Sequence, residues 1–166
     1  MNATTTLNAH NKNEYPPMHT VEHILNQTMI RLWGCQRSDN AHIERKKSKA
    51  DYELPTAPTP AQINEIERKV NEVIDQQVDV TTEFVKQEEA AKLVDLSKLP
   101  PDATSTLRLV RVGDYDVCAC IGSHVNNTRE IGYFKITTYH YEKGRLRLRF
   151  KLIEKKTKIN EIMSNA

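Results

Sequence analysis

The chain has 166 residues, 38% apolar and 28% charged, with a formal net charge of +2. That length suits one domain with a real core, and the composition excludes a disordered polyelectrolyte. No run nears the roughly 18 apolar residues of a membrane span, and so small a net charge does not by itself announce nucleic-acid binding.

Residues 1–17, MNATTTLNAHNKNEYPP, are polar and lack the basic start and apolar run of a secretory signal, so they are read as a mobile tail. Three cysteines, an odd number, predict a reducing, cytoplasmic setting in which cysteine serves as ligand or core rather than disulfide. HTVEHILNQTMIRLWG follows, with Val21, Leu25, Thr28, Met29 and Leu32 on one stripe at helical spacing and Gly34 as the stop. Residues 41–54 lack helical period and predict strands, leading to a connector at Pro55, Pro58 and Pro60. Thr59-Pro60-Ala61-Gln62 then reads as an N-cap, a first-turn proline and a capping-box glutamine. Ile63, Ile66, Val70, Val73 and Ile74 define the amphipathic helix that follows, ending near Gln77. Residues 78–85 predict a strand and 87–93 a short helix. After Pro100-Pro101 the stretches 107–113, 116–120 and 132–142 are rich in strand formers. Residues 145–152, RLRLRFKL, alternate cation and apolar residue, so one face is buried and the other cationic. This order predicts an α+β fold, helices packed on an antiparallel-rich sheet, in a single domain.

Two pairs of residues carry metal-binding potential. His19 and His23 lie four apart on the predicted helix and project from one face, where both imidazoles can reach one ion. Cys120 and His124, in CIGSH, can close a loop over an ion, with Gly122 supplying the bend. Together they form a His₃Cys set that suits one zinc ion. Cys118 points to the same strand face as Cys120, but the spacing to His124 favours Cys120. Cys35 is read as a small core residue, and His10, His42 and His140 as solvated or structural.

The two motifs and their order resemble the editing domain of alanyl- and threonyl-tRNA synthetases, above all the small freestanding alanyl-tRNA editing proteins called AlaX. In that family an H-x-x-x-H helix and a C-x-x-x-H loop bind zinc, and a T-x-E-I-G stretch follows; here these are His19, His23, Cys120, His124 and Thr128-Arg129-Glu130-Ile131-Gly132. The resemblance implies an editing domain over 18–158, with 159–166 as a C-terminal tail. It also implies a zinc-dependent, cytoplasmic hydrolase that removes serine or glycine from mischarged alanine tRNA. Larger members show C-G-G-T-H and T-G-E-I-G, so Ile121, Ser123 and Arg129 are departures, and Arg129 stands where a tight glycine turn is usual.

In such an enzyme His19, His23, Cys120 and His124 would hold the catalytic zinc, which lowers the pKa of bound water and polarises a carbonyl. Four protein ligands resemble a closed structural site, so a loosely held ligand or a fifth position is expected. Thr20 either hydrogen-bonds the hydroxyl of a misplaced serine or caps the helix, Ser123 faces substrate, and Glu130 orients a ligand histidine. Glu22 is read as a solvated carboxylate. Arg145, Arg147 and Arg149 are read as phosphate contacts for mischarged tRNA, with Lys151, Lys155, Lys156 and Lys158 extending the patch against one acid, Glu154. The competing reading makes 145–149 a charged edge strand. Neither a membrane nor an obligate protein partner is expected. Two rivals remain: a non-enzymatic zinc-stabilised RNA-binding domain, and a peptidase of the H-x-x-E-H type with Glu22 as base and Glu88 or Glu89 as third ligand.

Overall fold

The computed structural model describes residues 15–96, 105–154 and 163–164. Most of the expected N-terminal tail with His10, the Pro100-Pro101 break, Lys155, Lys156, Lys158 and nearly all of 159–166 lie outside them. Among the described residues the elements run α1 (Pro16–Trp33), β1 (Ala41–Ile43), β2 (Ser48–Glu53), α2 (Pro60–Asp75), β3 (Val80–Lys86), α3 (Gln87–Ala90), β4 (Thr106–Val112), β5 (Asp116–Ala119), a 3₁₀ turn (Thr128–Glu130), β6 (Tyr133–Glu142) and β7 (Arg145–Ile153). This is the expected α+β single domain, with every strand pairing antiparallel. The strands divide between two sheets, ordered β1-β2-β7-β6 and β3-β4-β5. Among the described residues no helix is long and apolar enough to cross a membrane.

Helix α1 begins at Pro16, two residues before the expected boundary, because proline at the first helical positions forgoes only an N–H that has no intrahelical acceptor. It ends where Gly34 adopts a left-handed conformation and donates to the Ile30 carbonyl. The helix is buried far beyond the single stripe: Met18, Val21, Ile24, Leu25 and Met29 are core, and His19, Thr20, His23, Asn26 and Thr28 are buried polar residues. Leu32, assigned to the stripe, is exposed instead, while its neighbour Trp33 packs against the core.

Helix α2 follows the capping box as expected, with Thr59 and Gln62 exchanging side-chain-to-backbone bonds. Its buried Ile63, Ile66, Val70, Val73 and Ile74 contribute about 1.5–3 kcal/mol each as an upper bound. The helix also closes the edge of β6. Asn71 donates to the Phe134 carbonyl and accepts from the Phe134 N–H, both at 2.9 Å, and Glu67 accepts from the Ile136 N–H at 2.8 Å. Two side chains thus satisfy backbone groups that an edge strand would expose.

Strand β7 lies in the interior of its sheet between β2 and β6, which overturns the edge-strand reading of 145–149. Leu146, Leu148 and Phe150 are fully buried on its inner face. The β6–β7 hairpin turns through Lys143 and Gly144, both with positive φ (51° and 80°), the two-residue geometry that matches strand twist.

Candidate metal centre

The first two turns of α1 and the loop after β5 meet over the end of the three-stranded sheet. His19, His23, Cys120 and His124 offer ligand atoms that all lie within 4.8 Å of one another. The ring centroids stand 5.3 Å apart for His19–His23, 4.4 Å for His19–His124 and 4.8 Å for His23–His124. Both sequence pairs therefore converge, and Cys120 rather than Cys118 completes the group.

Backbone and side-chain contacts fix the orientation of two rings. His19 Nδ1 donates to the Ser123 carbonyl at 3.2 Å, leaving Nε2 3.5 Å from Cys120 Sγ. His23 Nδ1 lies 3.6 Å from Asp116 Oδ2, while its buried Nε2 has no protein partner. Both ring nitrogens of His124 are likewise buried without a partner. Desolvating such groups unpaired costs about 1–3 kcal/mol each. Unpartnered imidazole nitrogens beside a thiol are the donor set that a soft-to-borderline divalent cation fits, and His₃Cys suits zinc by ligand type and number.

The electrostatics agree. Burial pushes the Cys120 thiol up, yet the imidazoles of His124, His19 and His23 around it outweigh burial and hold it at about 2, as a thiolate. Burial works to lower His23, but Asp116, Cys118 and Cys120 bring it well above 6.5. Burial also dominates at His124 and lowers it, despite the Cys120 sulfur beside it. A cation among these groups would take the place of the shared protons.

Several residues sit elsewhere than expected. Glu22 is not a solvated carboxylate: its side chain is 18% exposed, Oε1 lies 3.7 Å from His19 Nε2, and burial raises its pKa against the pull of His23 and His19. In place of the expected substrate contact or helix cap, the Thr20 hydroxyl donates to the Pro16 carbonyl (2.7 Å) and accepts from the Val125 N–H (3.0 Å), tethering α1 to the ligand loop. Glu130 accepts from the Asn126 and Asn127 N–H groups at 3.1 and 2.9 Å in a capping box with Asn127. It orders the chain after His124 rather than a ligand ring. Ser123 is exposed and contributes its carbonyl to His19. Glu88 and Glu89 are exposed and stand outside the four-donor group.

The departure at Arg129 is harmless to the backbone, since this residue lies in the 3₁₀ turn and not at positive φ. Gly132 is the glycine the turn needs: its φ is +96°, and a Cβ there would stand 2.6 Å from the Ile153 carbonyl.

The expected cationic face is partly neutralised. Arg147 binds Asp51 bidentately at 2.8 and 2.9 Å, and Arg145 lies 3.5 Å from Asp51 and 3.7 Å from Glu53. Arg149 pairs in register with Lys49 and Thr138 instead.

Sequence reasoning missed Asp116. This buried carboxylate faces His23, accepts from Gln27 Nε2 at 2.8 Å, and pairs with Arg37. Its strand position was informative: 116, 118 and 120 share one face, so the carboxylate stands on the ligand side. Arg37 gave no such signal, because its contact spans 79 residues.

Comparison with known proteins fits this geometry. Residues 107–163 match the family model of the threonyl and alanyl tRNA synthetase second additional domain, a span that includes Cys120 and His124. The chain is 34% identical over 121 residues to an alanine–tRNA ligase of Fervidobacterium nodosum, covering 72% of this chain and 14% of the ligase. It is 33% identical over 121 residues to that of Shouchella clausii, covering 72% and 14%. For Mycoplasmoides gallisepticum the figures are 31% over 134 residues, 78% and 15%. The chain thus spans about one seventh of the length of these relatives. Residues 107–163 thus resemble the second additional domain of threonyl and alanyl tRNA synthetases, and most of the chain is similar to one segment of alanine–tRNA ligases.

Proposed function

We propose that this chain is a zinc-dependent hydrolase that removes a wrongly attached amino acid, serine or glycine, from alanine tRNA in the cytoplasm, with residues 18–158 as the editing unit. The observation that carries the reading is the convergence of four donors, with three buried imidazole nitrogens of His23 and His124 unpartnered among the described residues, in a chain similar to alanine–tRNA ligases. The reading applies alike to a freestanding editing protein and to a segment of a longer chain.

His19, His23, Cys120 and His124 would hold the ion. When bound, zinc supplies a Lewis acid that polarises an ester carbonyl and acidifies water. Ser123 fixes His19 through its carbonyl, and Asp116 holds His23 with Nε2 turned inward. Glu22, largely buried beside His19, is the carboxyl placed to hold a proton at the pocket. Thr20 keeps the ligand loop docked on α1, and Ser123 lines the mouth. Arg149 and Lys151 offer phosphate contacts, with Arg145 and Arg147 contributing less.

The test is deacylation of serine-, glycine- and alanine-charged alanine tRNA by wild type and Cys120→Ala, with metal content assayed in parallel. Loss of serine or glycine but not alanine, absent in the metal-poor variant, is expected. A second reading, a zinc-stabilised RNA-binding domain, is favoured by the closed four-donor set. Stoichiometric zinc and RNA binding without turnover on any ester would establish it instead.

A further inference from the structure

The three-stranded sheet carries a second feature on its ligand side. Phe84 of β3 pairs in register with Arg108 of β4. Past the Leu109–Ala119 pair, the Cys120 N–H donates to the Arg108 carbonyl at 3.1 Å and extends the same ladder. Phe84, Arg108 and Cys120 therefore form one cross-strand row, with side chains on one face of the sheet. The opposite face is where Leu107, Leu109 and Val85 pack with Ala90. In the next row of the ligand face, Val110 is fully buried in the main core.

Phe84 belongs to neither apolar cluster and is 71% exposed, on a strand at the sheet's edge. One exposed phenylalanine is ordinary; its place in this row is not. Between ring and ligand, the Arg108 guanidinium donates through Nη1 to the Gly122 carbonyl at 2.7 Å, inside the C-x-x-x-H loop. The row thus leads outward from a metal ligand, through a cation fixed to the ligand loop, to a solvent-facing aromatic ring. Two strand spacings, about 10 Å, separate its ends. A ribose with the near edge of its base would span that interval if its ester lay among the four donors.

We propose that Phe84, flanked by Arg108, is the stacking platform for the 3′-terminal nucleobase of the aminoacylated RNA. The inference rests on the aminoacyl-ester reading of the pocket. Ring stacking accepts any base, since every base presents a π face, and Arg108 adds a cation beside the terminal sugar and phosphate. Phe84 then governs substrate affinity, while the chemistry stays with the pocket.

Two readouts on the zinc-loaded full chain test this. An RNA hairpin with an unpaired 3′ end terminating in 2-aminopurine reports stacking by fluorescence quenching. Quenching is expected with wild type and Phe84→Trp and is expected to be lost with Phe84→Ala. In turnover, the KM advantage of a seryl-adenosine ester over a seryl ester of abasic ribose falls about tenfold in Phe84→Ala and returns in Phe84→Trp. Deacylation with both readouts unchanged in Phe84→Ala overturns the platform and leaves the hydrolase standing. Phe84-dependent quenching without hydrolysis of any ester upholds the platform and overturns the hydrolase.

Discussion

In the pocket where α1 meets the loop after β5, three buried imidazole nitrogens have no protein partner among the described residues. On the outer face of β7, by contrast, two of the three arginines already have carboxylate partners on β2. Both regions announced themselves by spacing: a step of four positions between metal-binding donors in one, a step of two between cations in the other. Spacing shows which side chains share a face of one element. It does not show what a neighbouring element brings to that face. At the pocket the neighbouring elements brought further donors, and the unsatisfied atoms remained; at β7 they brought Asp51 and Glu53, and the charge was absorbed.

The largest expected effect strikes the unsatisfied side of this comparison. Cys120→Ala removes the one thiolate of the donor set, and metal content should fall from one ion per chain to under about a tenth. Deacylation should fall by about a hundredfold or more with it. Metal analysis of the purified variant checks the first claim directly, and an unchanged content would remove Cys120 from the site. Next comes Asp116→Asn, which keeps shape and loses charge. A carboxylate behind a ligand histidine is worth about 10–100-fold in metal affinity, measured by competition against a chelator. Undiminished affinity would make Asp116 only the partner of Arg37.

The four donors of the pocket were legible because each pair is local: one helix turn joins His19 to His23, and a short loop joins Cys120 to His124. The capping box at Thr59 and the stop at Gly34 were legible for the same reason. What the sequence hid is long-range. Asp116 and Arg37 meet across 79 residues, Asp51 and Arg147 across 96, Asn71 and Phe134 across 63. The division into two sheets was hidden too, since β7 pairs with β2 nearly a hundred residues earlier. Glu22 was misplaced because a carboxylate on a helix gives no hint of what packs over it, and Glu130 because its capping box with Asn127 forms only in the 3₁₀ turn.

Asn71 tests a polar group whose satisfaction builds the fold rather than a site. Asn71→Ala leaves the Phe134 N–H and carbonyl without partners, and a loss of about 2 kcal/mol is expected. Urea denaturation should show a lower midpoint at unchanged slope. A much smaller loss would mean that water replaces the side chain at the β6 edge.

Acid titration probes the neutralised face itself. The Arg147 guanidinium, bonded to Asp51, holds that carboxyl below its ordinary 3.8 despite the opposing effect of burial. A folded pKa below the unfolded one adds stability that is present above pH 3.8 and vanishes as pH falls through the folded value. Arg147→Gln should therefore be less stable than wild type near neutrality, and the gap should close in strong acid. A gap independent of pH would show that the arginine acts by packing its stem rather than by its charge.

The smallest effect separates Arg149, which has no carboxylate partner among the described residues, from the paired arginines. Each phosphate contact steepens the salt dependence of RNA binding by about 0.9 in log–log slope. Arg149 stands in register with Lys49 and Thr138, with no acid in its row, so Arg149→Ala should lower the slope by about one. Arg145 already neutralises Asp51 and Glu53, and a phosphate would have to displace carboxylates to reach it. Arg145→Ala should accordingly change the slope by less. Equal changes would mean that RNA strips Arg145 from its partners, and the face would act as one cationic surface despite its internal pairing.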